Sequence, residues 1–107
     1  MVDKYDLLEL FECNPKIIGD EAAGIYEYQK QDVYGFTLRL CLFLYDDYCS
    51  LTLSHKDLST PLFELGFNNI NNITSKENRL IIDQTGNPKN IVLHFKPNYT
   101  LRFEDRI

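Results

Sequence analysis

The stretch Phe36–Ser54, FTLRLCLFLYDDYCSLTLS, constrains the fold of this 107-residue chain more than any other. Leu38, Leu40, Leu42 and Leu44 alternate with Thr37, Arg39, Cys41, Phe43 and Tyr45. Successive side chains on a strand point to opposite faces, so a period of two places one face in a core. Asp46-Asp47 interrupts the run, which resumes as Tyr48 to Ser54. With the two aspartates as the turn, Leu44 opposes Cys49, Leu42 opposes Leu51 and Leu40 opposes Leu53, all on one side. A slip of one residue would send Leu51 and Leu53 to the other face. The prediction is a β-hairpin. Asp-Asp is a poorer tight-turn pair than Asn-Gly, which leaves room for a wider loop.

The neighbouring segments are arranged around this hairpin. Asp3 to Cys13 has the pattern of a short helix, with Asp3 as cap, Asp6 as the acid of a capping box, and Leu7, Leu8 and Phe11 on one side. Tyr5 and Leu10 fall at its margins, and Asn14-Pro15 ends it. A helix of about 10 residues does not hold alone in water, so it must dock on the sheet. Lys16 to Ala22 reads as a linker with Gly19 as its turn. Gly24 to Lys30 alternates as a strand, and Gln31-Asp32 turns the chain into the hairpin.

Beyond it, Leu62 to Phe67, Arg79 to Asp83, Ile91 to Lys96 and Tyr99 to Glu104 read as further strands, punctuated by Thr85-Gly86-Asn87-Pro88 and Pro97-Asn98. Asn68-Asn69-Ile70-Asn71-Asn72 favours a bulge or wide turn, because an asparagine amide bonds its own main chain. Ile73 to Glu77 fits no single pattern. The expected class is α+β, mostly β: an antiparallel sheet or partly rolled sandwich of about seven strands with one N-terminal helix. The length suits a single domain, residues 1–107.

Charge narrows the function classes. Residues 1–27 carry two basic and seven acidic side chains, whereas the remaining 80 carry nine of each. The whole net charge of −5 therefore sits in the first quarter. Such a surface repels phosphate backbones and attracts basic proteins, which disfavours nucleic-acid binding. No apolar run of membrane-spanning length occurs, and the acidic start MVDKYDLLELFEC has no basic region ahead of an apolar one. The cytoplasm is the expected location, with Cys13, Cys41 and Cys49 as reduced, packing thiols.

No catalytic constellation emerges. His55 and His94 lie 39 positions apart, and the hairpin pattern puts Cys41 and Cys49 on opposite faces, so a zinc ligand set is not expected. The carboxylate pairs Asp20-Glu21 and Asp46-Asp47 are adjacent in sequence, whereas catalytic pairs face each other across a cleft. No Gly-rich phosphate loop occurs, and no cofactor is expected. Asn72-Ile73-Thr74 and Asn98-Tyr99-Thr100 match the glycosylation pattern, which has no role without a secretory route. The non-leucine face of the hairpin sets Phe43, Tyr45 and Tyr48 beside polar residues, with Asp46 and Asp47 at its tip. That is the composition of a protein interface, and equally of a face covered by a second layer.

The segment LFELGFNNINNI (62–73) runs an apolar strand into Gly-Phe-Asn and an Asn before an isoleucine. It occurs in an acidic chain with an N-terminal helix and with Gly19-Asp20-Glu21-Ala22 leading into the first strand. In this the chain resembles small immunity proteins of bacterial polymorphic-toxin and contact-dependent growth-inhibition systems. One such group carries a His-Asp-Ala-Glu-like motif before the first strand; the histidine is missing here. The resemblance implies a non-enzymatic antitoxin that binds a cognate, basic toxin domain and blocks its active site. On that reading Glu9, Glu12, Asp20, Glu21, Asp46 and Asp47 face the toxin, with Phe43, Tyr45 and Tyr48 as anchors. The alternative is a small-ligand-binding or sensory β-module, which a pocket of useful size would favour.

Overall fold

The structure, a computed structural model, describes residues 2–106. Two antiparallel sheets, each a simple meander, lie face to face. The first joins β1 (Lys16–Ile17), β2 (Ile25–Gln31), β3 (Phe36–Phe43), β4 (Tyr48–His55) and β5 (Phe63–Phe67) in sequence order. The second joins β6 (Ile70–Lys76), β7 (Arg79–Gln84), β8 (Lys89–His94) and β9 (Thr100–Asp105). Leu38, Leu40, Leu42, Cys49, Leu51 and Leu53 from the first sheet meet Ile73, Leu80, Ile82, Ile91 and Leu93 from the second in one core. The expected class therefore holds, as a sandwich with an N-terminal helix.

Among the described residues the strand count is nine, not seven. β1 falls inside the expected linker; both its residues are exposed, so no burial pattern marks it. β6 takes in Ile70-Asn71-Asn72 of the Asn-rich stretch and all but Glu77 of the segment that fitted no pattern. Its pairing with β7 shifts between Ile70 and Asn72, and this bulge breaks the period of two. Ile70 and Ile73 both pack on the core although they stand three positions apart, an odd spacing that a regular strand would send to opposite faces.

The central hairpin forms with a register different from the expected one. Leu42 opposes Cys49, Leu40 opposes Leu51 and Leu38 opposes Leu53. The loop takes four residues rather than two: Leu44–Asp46 form a 3-10 turn, and Asp47 adopts φ +47. Leu44 leaves the strand and donates its N–H to the Gly24 carbonyl at 3.0 Å. The shift is by two residues, an even number, so each leucine stays on its expected face.

Helix α1 (Lys4–Phe11) starts as expected, with Asp3 Oδ1 accepting from the N–H groups of Tyr5 and Asp6 at 3.1 Å each. It ends two residues short of Cys13, where Glu12 takes φ +59 and donates its N–H to Leu8 O. Its buried face is Leu7, Leu10 and Phe11; Leu8 and Tyr5 are exposed, contrary to the placing of Leu8 inside and Leu10 at the margin. The cause is how β6 grips the helix. Asp3 N–H donates to Ile73 O, and Asp6 closes no capping box but accepts the Ser75 N–H on Oδ2 and the Ser75 hydroxyl on its carbonyl. Held on that side, the helix turns Leu10 and Phe11 inward. The Phe11 ring meets Tyr28 of β2 at 5.3 Å and Phe95, beyond β8, at 5.4 Å, so one aromatic ties the helix to both sheets.

Candidate functional interface

Loops from both sheets gather at one end of the sandwich. Asp20–Gly24 precedes β2, Leu44–Asp47 joins β3 to β4, Asn68–Asn69 crosses between the sheets, and Thr85–Pro88 joins β7 to β8. They are bonded to one another. Ile70 N–H donates to Asp47 O at 2.9 Å, Thr85 N–H to Asn69 O at 2.9 Å, and the Gln84 amide to Asn68 O at 2.8 Å.

The first two loops carry most of the residues singled out in the sequence. Asp20 caps a 3-10 turn over Glu21–Ala23 by accepting the Ala22 N–H. Gly24 closes that turn at φ +68, a left-handed conformation that suits glycine. It also leaves room for Tyr45, since a Cβ there would come within 2.9 Å of the Tyr45 ring. Resting on this glycine, Tyr45 is 76 % exposed. Asp20, Glu21, Asp46 and Asp47 are all exposed around it. Phe43 and Tyr48 are a cross-strand pair with ring centroids 5.4 Å apart, and both are half-buried. The Tyr48 hydroxyl lies directly over Gly66 of β5, where any side chain would displace it.

Glu9 and Glu12 are not part of this group. Glu12 pairs with Lys30 at 2.6 Å, at the other end of β2 from Gly24. Six residue steps separate Gly24 from Lys30, about 20 Å at the usual rise. Glu9 borders a shallow hollow with Ser75 and Asn78 on the β6–β7 side. The structure thus brings together Asp20, Glu21, Phe43, Tyr45, Asp46, Asp47 and Tyr48, and sets the two helix glutamates apart.

Next to this group is a feature the sequence did not reveal: an apolar cleft of about 350 Å³ between the sheets. Leu42 and Ile73, both core residues, border it together with Val2, Leu44 and Ile70. Its charged residues are Lys4, whose Nζ lies 4.9 Å from the centre of the Tyr26 ring, and Asp47. Only the pairing of the two sheets creates it, so hairpin periodicity alone gives no hint of it.

Charge divides between the layers. Residues 1–67, which form the helix and the first sheet, hold five basic and twelve acidic side chains, a net of −7. Residues 68–107, with the second sheet, hold six basic and four acidic, a net of +2. Both acidic loops belong to the negative layer.

Among the described residues, no group of three or more His, Cys, Asp or Glu is gathered to hold a metal, and no helix is long and apolar enough to cross a membrane. His55 Nε2 bonds the Tyr34 carbonyl and His94 Nε2 bonds Glu104, on separate parts of the molecule. Burial pushes the Cys49 thiol up to about 12, and burial with the nearby Glu27 carboxylate raises that of Cys41. Neither is a poised nucleophile, since the thiolate is the reactive form.

Fold and surface together define a two-layer β-scaffold that displays an acidic, aromatic loop end. The same architecture occurs in a chain of the contact-dependent growth inhibition toxin–immunity protein complex from Klebsiella pneumoniae 342. The TM-score is 0.77, the match covers 97 % of this chain and 94 % of that one, and 10 % of residues are identical. At that identity the likeness is one of fold, and it spans nearly the whole chain. No family model and no curated protein matches the sequence.

Proposed function

We propose that this chain is an immunity protein, a non-enzymatic antitoxin that binds a cognate toxin domain in the cytoplasm and holds it inactive by covering its active site. The observation that carries this reading is the whole-chain likeness to a chain of a toxin–immunity complex. The charge of the helix and first sheet supports it. A layer of −7 steers a basic partner to itself, and a basic partner is what a toxin acting on nucleic acid would be. The binding surface on this reading is the loop end, with Asp20, Glu21, Asp46 and Asp47 as the acidic rim and Tyr45, Tyr48 and Phe43 as aromatic anchors.

Capture tests it. The chain serves as bait for the C-terminal domain of the polypeptide encoded immediately upstream of its gene, alongside growth assays in cells producing either protein or both. Tight, salt-sensitive capture with rescue of growth supports the proposal. Growth arrest by this chain alone, or no capture, contradicts it. A second reading, a small-ligand-binding module, draws on the 350 Å³ cleft, which lies at the low end of ligand-pocket volumes. It predicts saturable uptake of a small molecule there and no protein partner.

A further inference from the structure

We infer that the cleft at the loop end is a socket for a single large apolar side chain, aliphatic or aromatic, flanked by Lys or Arg on the partner's surface. The identity of the partner rests on the immunity reading; the chemistry of the socket does not.

The floor of the cleft is core. Leu42 and Ile73 are 2 % and 1 % exposed, yet both border a space of about 350 Å³. Such a space suits one bulky side chain with its backbone at the rim. Interface energy concentrates where an apolar anchor enters a pocket ringed by groups that exclude water. The surroundings set the charge of the visitor. Asp47 borders the cleft, Asp46 precedes it, and the Asp20–Gly24 turn is bonded to the same loop through Leu44. The cation on the border, Lys4, keeps its charge over the Tyr26 ring, and the exposed carboxylates of Asp20, Glu21, Asp46 and Asp47 on the adjoining loops outnumber it. An apolar residue carried between acidic neighbours would meet like charge here, whereas one carried between basic neighbours would gain attraction.

The loop architecture keeps the space open. Leu44 is held at the rim by its bond to Gly24, and Ile70 by its bond to Asp47. The bulge after Ile70 then returns Ile73 to the floor. The bulge and the four-residue turn, irregularities in otherwise plain meanders, are thus what shape the socket.

Two probes test this without depending on one another. The first is acetyl-Lys-Phe-Lys-amide, titrated into the isotope-labelled chain while backbone amide shifts are followed. Lys4, Leu44, Asp47, Ile70 and Ile73 are expected to move together and saturate. Acetyl-Lys-Ala-Lys-amide and acetyl-Glu-Phe-Glu-amide should each bind at least about tenfold more weakly, the first through lost apolar burial, the second through repulsion. Shifts that bypass these residues, or that are the same for all three peptides, overturn the socket. The second probe is the toxin domain itself. Val2→Trp and Ile70→Phe, which together narrow the cleft, should weaken its binding by about thirtyfold while melting cooperatively as the unaltered chain does. Unchanged toxin binding by a folded, narrowed variant overturns the socket and leaves the immunity reading standing. Peptide binding without toxin capture sinks the immunity reading and leaves the socket as a ligand site.

Discussion

Truncating single leucines of α1 measures which face docks the helix on the two sheets. Helical periodicity sets Leu8 with Leu7 and Phe11, leaving Leu10 at the edge. The structure buries Leu10 at 6 % exposure and leaves Leu8 at 40 %. Removing a buried leucine side chain costs about 2–5 kcal/mol, counting both lost transfer energy and the cavity left behind. Leu10→Ala should fall in that range. Leu8→Ala removes a side chain already in partial contact with water and leaves no enclosed void, so its cost should stay below about 1 kcal/mol. A domain of this size has a total stability of about 5–15 kcal/mol, and each kcal/mol shifts its melting point by about 4–8 °C. Leu10→Ala should therefore lower Tm by at least roughly 8 °C, and Leu8→Ala by a few degrees at most. Urea titration with unchanged slope, followed by far-UV circular dichroism, measures both. Equal losses, or the larger loss at Leu8, would refute the docking of the helix by its Leu7–Leu10–Phe11 face.

Other consequences can be checked as directly. Asp3→Ala should cost about 1 kcal/mol by stripping the helix cap, read as a lower urea midpoint; no change would mean that the cap is idle. Of the three thiols, the exposed Cys13 should react first with an aromatic disulfide reagent, and Cys41 more slowly. Cys49, 0 % exposed and with its pKa raised to about 12, should react only on unfolding. The Lys30 ammonium, by hydrogen bond and charge, holds the Glu12 carboxyl below the usual carboxylate range. A depressed folded-state pKa stabilises the fold above the unfolded value, and the contribution is lost as pH falls through the folded one. Glu12→Gln should accordingly flatten the acid limb of the stability profile while leaving the part above neutrality unchanged in shape; an identical acid limb would contradict this.

Local periodicity made part of the fold legible in the chain. Leu38, Leu40 and Leu42 against Leu51 and Leu53 announced a hairpin with one buried face, and an even register error could not disturb which face that was. The turn itself was illegible in detail, because Leu44 continues the leucine alternation but is drawn out of the strand by Gly24, twenty residues earlier. β6 escaped for a related reason: the bulge after Ile70 erases the alternation by which a strand is recognised. The helix face was misread because Ser75 and Ile73, far away in sequence, decide how the helix rolls.

At the loop end, composition marked the acidic, aromatic turn but not its surroundings. Asp46-Asp47 and Tyr45 were visible as an acidic, aromatic tip. That Asp20-Glu21 would lie against it, and Glu12 at the far end of β2, depends on the β2–β3 pairing. The cleft depends on both sheets at once, and no window of sequence contains it.

The measurement closest to the central claim is a titration of the upstream-encoded toxin domain's activity with the purified chain. The immunity reading predicts that activity disappears at one equivalent. It also predicts that reversing Asp20, Glu21, Asp46 and Asp47 to lysine slows association at least about tenfold at low salt. Toxin activity untouched by a folded excess of the unaltered chain would contradict it.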